Sequence, residues 1–409
     1  MTFVEQSYRR ATPALLILAL SLFVVATNAF VIAGLLPQIA DTLGATPTQV
    51  SYSITSYSLV VAVAAPAVSI LLPRVPRTVL MAGGLAFFAV GAAIAAAAPD
   101  IAVFITGRTL SGLGGAALVP TATAAAASLA RPEQRGRALA IVGAGFTLAT
   151  AVGSPLGTAL GGIAGWRLPL WCLVGLGVLL SVAIPFVVRG VPLPPPVSLR
   201  RRLAPLGDRR ILAPLGTTLL IVAGFNIVYL FSAAVTHAST GGSGGLLAVL
   251  LLAYGAAGVL GNVVAGPLTD RFGSKVVAIV ALGGQALALL ALTFVEASFA
   301  ASIVVFALWG VAAFAVAIPV QHRLVHIDPA ASALALSWYS TAMYVGIAIA
   351  PLIGTAALSI GGAVAVPVAG AVVSVLALAL FLLGYARNAA ARRTEGVAGD
   401  AERALRPSA

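Results

Sequence analysis

The sequence predicts an all-α integral membrane protein with twelve transmembrane helices in two pseudo-symmetric six-helix bundles, and three observations carry that expectation. The 409-residue chain is 60% hydrophobic and only 8% charged, whereas a soluble domain carries roughly 25% charged residues. Basic residues gather on alternate connections between the apolar runs, the asymmetry that orients membrane proteins. Landmarks of the first half return about 197 residues later: Ser69 to Thr78 with Gly266 to Lys275, Asn28 with Asn226, Pro120 with Pro319, and Pro155 with Pro351. Duplicated halves of this size are a signature of secondary transporters, which hold substrate where the halves meet.

Within hydrocarbon a chain segment must satisfy its own backbone amides, so each apolar run of about 20 residues reads as a helix. The first bundle, 1–188, has spans at 14–36, 50–72, 78–98, 101–127, 138–162 and 168–188. Its opening run is too long for a signal-peptide core and is kept as the first helix. Residues 189–211 connect the halves. Pro192, Pro194, Pro195 and Pro196 stiffen this linker, and the arginines from Arg200 to Arg210 anchor it at anionic headgroups. The second bundle, 212–384, has spans at 212–234, 245–268, 276–296, 299–320, 333–358 and 362–384. The polar tail, 385–409, is expected to be disordered.

Charge tests this count. With a cytoplasmic N terminus, only Arg108 and Arg167 of the 23 Lys and Arg fall away from the inner side. A miscounted span would invert every later loop. The net charge of +12 therefore reports topology and not nucleic-acid binding. The expected address is the cell inner or plasma membrane, with multiple passes and both termini cytoplasmic. The expected partners are membrane lipid and a small-molecule substrate, with no nucleic acid, and a monomer is anticipated. The single cysteine, Cys172, excludes an intramolecular disulfide.

Four motifs resemble those of the major facilitator superfamily. Gly266-x-Leu268-x-Asp270-Arg271-x-Gly273-x-Lys275 is similar to the family's 2-3 and 8-9 loop motif, and Arg108-x-x-x-Gly112-x-Gly114-Gly115-Ala116 to its helix 4 motif. Gly153-Ser-Pro155-Leu-Gly157-x-x-x-Gly161 resembles the antiporter motif of helix 5, in the variant of drug and sugar exporters similar to chloramphenicol-resistance and arabinose-efflux permeases. Phe30 to Ala40 looks like the same subgroup. The resemblance covers nearly the whole chain and implies the major facilitator fold, alternating access and efflux of small amphiphilic or drug-like compounds, as in antiporters of multidrug resistance. A sugar or metabolite exporter or facilitator of the same fold is one alternative, and a transport-inactive membrane accessory protein is another.

The resemblance also assigns residues. The gating group is Gly266, Asp270, Arg271, Gly273 and Lys275, with Arg74 and Arg77 in the first repeat. Asp270 is expected to meet the cytoplasmic start of helix 5 near Arg135, Gly136 and Arg137 when the inner gate shuts; the plainer reading is a topogenic loop whose acid offsets Arg271. Gly153, Gly157 and Gly161 share one helix face, which permits close helix packing, and Pro155 should bend the helix. Because helices 1, 4, 7 and 10 line the cavity in this family, Asn28, Arg108, Asn226, Tyr229 and Trp309 are substrate candidates, with Tyr57, Trp338 and Tyr344 as walls and Tyr339 beside them. Asn28 and Asn226 would aim two uncharged groups at one site. Arg108, costly to bury, either lines the cavity or snorkels as a structural residue; the asparagines either bind substrate or join helices, and the aromatics either wall the cavity or face lipid.

What is missing bears on mechanism. None of the 11 acids falls mid-membrane, and Asn28 and Ala29 stand where the resembled subgroup commonly has a helix 1 carboxylate. A proton is thus a possible coupling ion without an evident carrier. His322 and His326, four apart with Asp328 following, have a spacing open to metal ligation, but a helix end at the headgroups explains them as well. No cofactor, metal or catalytic residue is assigned, and an enzyme is not expected.

Overall fold

The computed structural model describes residues 3–131, 134–192, 198–295, 297–328 and 332–404. Pro194, Pro195 and Pro196 of the linker lie outside the described residues, as do the side chains of 3–11, Ser69 and 386–404. Among the described residues the chain is helical and has no strand, with ten stretches long and apolar enough to cross a bilayer. Two of these are helix pairs. Gly244–Val295 turns at Gly273 (φ 80°, ψ 153°), and Ser332–Ala404 turns at Gly361 and Gly362, the latter at φ 66°. Only glycine adopts such angles without a steric penalty, so one helix stops and the next begins with no loop between them.

Twelve passes result. They are α1 Phe3–Thr42, α2 Pro47–Leu71, α3 Arg77–Ala96, α4 Ile101–Leu129, α5 Arg135–Ala164, α6 Arg167–Val187, α7 Arg209–Leu230, α8 244–272, α9 274–295, α10 Phe299–Ile327, α11 332–360 and α12 from 363 onward. A nine-residue helix, Leu199–Gly207, lies in the linker. Most boundaries fall within a few residues of the expected spans. The exceptions are α1 and α10, which run on to Thr42 and Ile327, and α12, whose backbone stays helical to Ala404. An even number of passes puts both ends of the chain and the linker helix on one face, the linker side; the opposite face is the far side.

Polar side chains mark the helix starts. Thr46 and Gln49 form a reciprocal capping box on α2, Asp100 accepts from Val103 N at 2.9 Å on α4, and Asp208 accepts from Arg210 N at 2.8 Å on α7. Each such cap satisfies an amide that would otherwise lack a partner. Two of the acids are therefore structural. Asp208 also holds the Arg210 guanidinium at 3.0 Å, and that hydrogen bond keeps its carboxyl below the usual carboxylate range.

Small residues set how closely the helices approach. A Cβ on Gly153, Gly157 or Gly161 would strike Thr27, Val31 or Leu35 in turn, so the α5 glycine face lies along α1. Close approach of this kind replaces the hydrophobic drive that helices lack inside lipid. The bend expected at Pro155 takes another form, a π-helical turn at Ala149–Gly153 in which Ser154 N reaches Ala149 O. Pro155 has no N–H to give to the carbonyl four residues back, and the widened turn absorbs that gap. The repeat is visible in packing as well. Gly112 has no room for a Cβ against Tyr57 O, and Gly310 has none against Tyr254 O, so α2–α4 and α8–α10 share one contact at the repeat offset.

Candidate functional site

A cavity of about 230 Å³ lies between the two halves. Phe30, Phe146, Phe225, Tyr229, Tyr254 and Phe314 give it an aromatic lining, while Thr147, Thr150, Thr218, Asn262 and Gln321 supply uncharged polar groups. None of the described lining residues is acidic or basic. Apolar walls with a few placed polar groups are the general form of a small-molecule site.

The helices flanking the cavity fix where it opens. At the far end of α5 and α8, Gly162 and Gly244 come together, and a Cβ on Gly244 would lie 3.7 Å from the Gly162 Cα. At mid-membrane Gly255 packs directly on the backbone of Ala151, within the π turn. Beyond that point the helices part, and Phe146 and Thr147 face Asn262 across the cavity. The other flank matches, with Thr55 Oγ1 of α2 donating to Ala348 O of α11 at 2.9 Å. A hydrogen-bonded roof spans the halves: Tyr229 OH donates to Ser154 Oγ at 2.8 Å, and Ser154 Oγ donates to Phe30 O at 3.3 Å. The Tyr254 ring packs 5.4 Å from that of Tyr229.

On the linker side the halves stand apart. Asp270 is exposed and has no ion-pair partner among the described residues, while Arg135 and Gly136 are exposed too. A Cβ added at Gly136 or Gly266 would meet nothing within 4 Å. The expected contact between Asp270 and the start of α5 is thus not made in this state, in which the molecule is shut on the far side and open on the linker side. Gly273 makes the reversal after Asp270, whereas Gly266 has no close neighbour here.

Of the predicted substrate residues, Tyr229 lines the cavity, as does Tyr339; the others are held elsewhere. Arg108 is fully buried inside the first bundle, donating from Nη1 to Asn28 O at 2.7 Å with its guanidinium 4.6 Å from the Tyr57 ring centroid. Its Nε and Nη2 have no hydrogen-bond partner among the described residues. The expectation that Asn28 and Asn226 converge is corrected: Asn28 Nδ2 points to Ser111 Oγ at 3.4 Å, and Asn226 Nδ2 folds back onto Val222 O of its own helix at 2.9 Å. Trp309 stacks behind Tyr254 with centroids 4.4 Å apart, and Tyr344 is buried without reaching the lining. Trp338 leaves the cavity for the linker, its Nε1 donating to Arg202 O at 2.9 Å. Arg74 is exposed on the α2–α3 turn, Arg77 opens α3, and Arg271 and Lys275 flank the turn at Gly273. His322 and His326 stack with ring centroids 4.0 Å apart, and no cluster of three His, Cys, Asp or Glu able to hold a metal forms among the described residues.

Sequence reasoning missed Tyr254, although it stands 197 residues after Tyr57 and the repeat offset pointed to it. It also missed Phe146, Thr147 and Thr150, for which no signal existed. The π turn that follows Phe146 and Thr147 and contains Thr150 alters the face that α5 presents to the cavity, and periodicity does not foresee an extra residue in a turn.

Two repeated six-helix halves around a cavity open at one membrane face define a membrane transporter. This chain belongs to the Major Facilitator Superfamily: the family model matches residues 18–320 and again 215–408. It is 31% identical to the uncharacterized MFS-type transporter YbcL of Bacillus subtilis over 341 residues, covering 83% of this chain and 87% of the relative. It is 31% identical to a chloramphenicol resistance protein of Streptomyces lividans over 355 residues (84% and 88% covered), and 30% identical to the inner membrane transport protein YdhP of Escherichia coli over 349 residues (84% and 88%). The fold matches the crystal structure of a bacterial homolog of the human lysosomal transporter Spinster, in an inward-facing and unoccupied conformation, with a TM-score of 0.75 and 16% identity over 92% of this chain and 97% of that one.

Proposed function

We propose that this transporter exports small, uncharged or weakly polar aromatic compounds of the antibiotic kind across the cell inner membrane, with the linker side in the cytoplasm. The observation that carries the reading is the uncharged, aromatic cavity, open only on the linker side, where cargo would enter. The similarity to a chloramphenicol resistance protein and the basic residues of the linker face support it. Dedicated export of cations would favour a carboxylate in the lining, and none of the described acids lines the cavity: Asp41, Asp100 and Asp270 are exposed, and Asp208 and Asp328 are half-buried away from it.

Flux in proteoliposomes over a panel of neutral, cationic and anionic aromatic compounds tests this directly. Saturable movement of the neutral members is expected. Selective movement of cations, or none at all, would overturn the reading. Because no described acid lies in the cavity, flux should persist when the pH gradient is collapsed; flux abolished by collapse and restored by an imposed gradient would refute uncoupled transport.

Asp270 serves the inner gate in this reading, pairing with Arg135 or Arg137 only when the linker side closes. Ion pairs at an exposed position contribute about 0.2–1 kcal/mol, so Asp270→Asn should slow turnover by no more than about fivefold with expression unchanged. Unchanged turnover together with unchanged linker-side thiol accessibility would remove the gating role.

A further inference from the structure

Most polar groups that line the transport cavity are already engaged within the protein. Thr150 Oγ1 donates to Thr147 O at 2.9 Å, Thr218 Oγ1 donates to Pro214 O at 2.9 Å, the Tyr229 hydroxyl donates to Ser154, and Gln321 engages the hydroxyl of Tyr339. The Asn262 carboxamide and the Thr147 hydroxyl differ: both residues are partly exposed, and neither side chain makes a hydrogen bond among the described residues. The Tyr254 hydroxyl also lacks a partner, but it is fully buried. Asn262 and Thr147 therefore present the uncommitted polar groups to the open part of the cavity.

Their positions on the two diverging helices give that pair a consequence. Thr147 lies four residues before Ala151 on α5, and Asn262 lies seven residues after Gly255 on α8, so both stand on the linker side of the Gly255–Ala151 contact. Seven residues are nearly two full turns, which places Asn262 about 10 Å down the face of α8 that carries Gly255. The two groups thus belong to opposite halves and flank the gap that must narrow when the linker side shuts. A carboxamide donates and accepts at once, and a hydroxyl can do either. An amide on the cargo matches this set: its N–H can donate to Asn262 Oδ1, while its carbonyl accepts from Asn262 Nδ2 and from Thr147 Oγ1. An aromatic ring beside that amide would pack on Phe146 and Phe314, which share the lining. An ester of the same shape has no N–H and would leave Asn262 Oδ1 unpaired, the asymmetry through which a hydrogen-bonding site rejects an analogue.

We propose that Asn262 and Thr147 form an amide-recognising subsite that sets specificity among neutral aromatic compounds, and that cargo bonded to both draws the linker ends of α5 and α8 together. The inference rests on the cavity being the cargo site, as proposed above, and not on the direction of transport. Specificity and closure then share one pair of side chains. Cargo without the amide would occupy the aromatic walls and leave the halves apart.

The test uses the full chain purified in detergent and two probes of one shape, N-benzylbenzamide and benzyl benzoate, with binding followed by equilibrium dialysis. The amide should bind about fivefold or more tightly than the ester. Asn262→Leu, similar in size, should lower amide affinity to that of the ester and spare the ester, whereas a purely structural role would move both probes together. Asn262→Ala serves the same end if the leucine variant fails to fold. Thr147→Val should weaken both probes alike by about threefold, because its hydroxyl meets the carbonyl they share. Spin labels at Gly136→Cys and Phe272→Cys, exposed positions at the linker ends of α5 and α8, read closure in a Cys172→Ser background. The amide should shorten the distance between them, and the ester should not. If proteoliposomes move no neutral compound while the amide preference persists in detergent, the export reading falls and the subsite stands. Neutral flux with equal binding of the two probes sinks the subsite alone. No binding of the amide, a preference that survives Asn262→Leu, or a label distance that the amide leaves unchanged would also overturn the proposal.

Discussion

Gly255→Val should cut transport about fivefold or more and bias the transporter against shutting on its far side. A Cβ at this position would meet the Ala151 Cα, the Ala151 N and the Thr150 O, backbone atoms that cannot rotate away. Overpacking of this kind costs typically 1–3 kcal/mol, and a bias of that size shifts a two-state equilibrium by roughly 5- to 150-fold. The penalty falls on the state with α5 and α8 in contact, so the population should move toward far-side opening. Flux in proteoliposomes reads the first effect. Labelling of an introduced far-side cysteine by an impermeant thiol reagent reads the second, in a Cys172→Ser background because the native cysteine is exposed. Gly143→Val, where a Cβ meets nothing within 4 Å, should behave as wild type. Normal flux by Gly255→Val would mean that the α5–α8 contact does not limit the cycle.

The second large effect is on stability. Gly114→Leu should destabilise the first bundle by about 1–3 kcal/mol, the overpacking range, because its Cβ would strike Gly84 O and the backbone of Phe88 on α3. The seam has little means of relaxing. Gly84 packs reciprocally on Gly114 O, and Gly91 and Gly107 interlock further along the same two helices. A lowered unfolding temperature in detergent is the measurement, with Gly83→Leu as the neutral control since its Cβ would face open space. Equal stability of the two variants would show that α3 and α4 can separate without penalty.

These two residues show how unevenly the site could be read from the chain. Gly114 stands in a motif quoted from the sequence, yet what it touches came only with α3 in place. Gly255 stands in no motif, and its importance arises from a π turn on another helix. Arg108 was legible as a costly buried charge, but its direction was not: a guanidinium is satisfied by whichever carbonyl and ring come within reach, here Asn28 O and Tyr57. Asn226 was legible as a repeat landmark, while its carboxamide turned to the carbonyl one helical turn earlier, an option open to any buried amide with no cross-helix partner.

By itself the sequence determined the membrane class, the passes and the duplication, because hydrocarbon length, backbone hydrogen bonding and charge asymmetry act locally along a chain. Only the tertiary structure decided which side is open, which side chains face the cavity, and that the acid-free α2–α3 turn meets the linker helix at a cavity lined by Arg77 and Arg202. Those outcomes depend on contacts between segments hundreds of residues apart, whose energies differ by a few kcal/mol at most and leave no periodicity in the sequence.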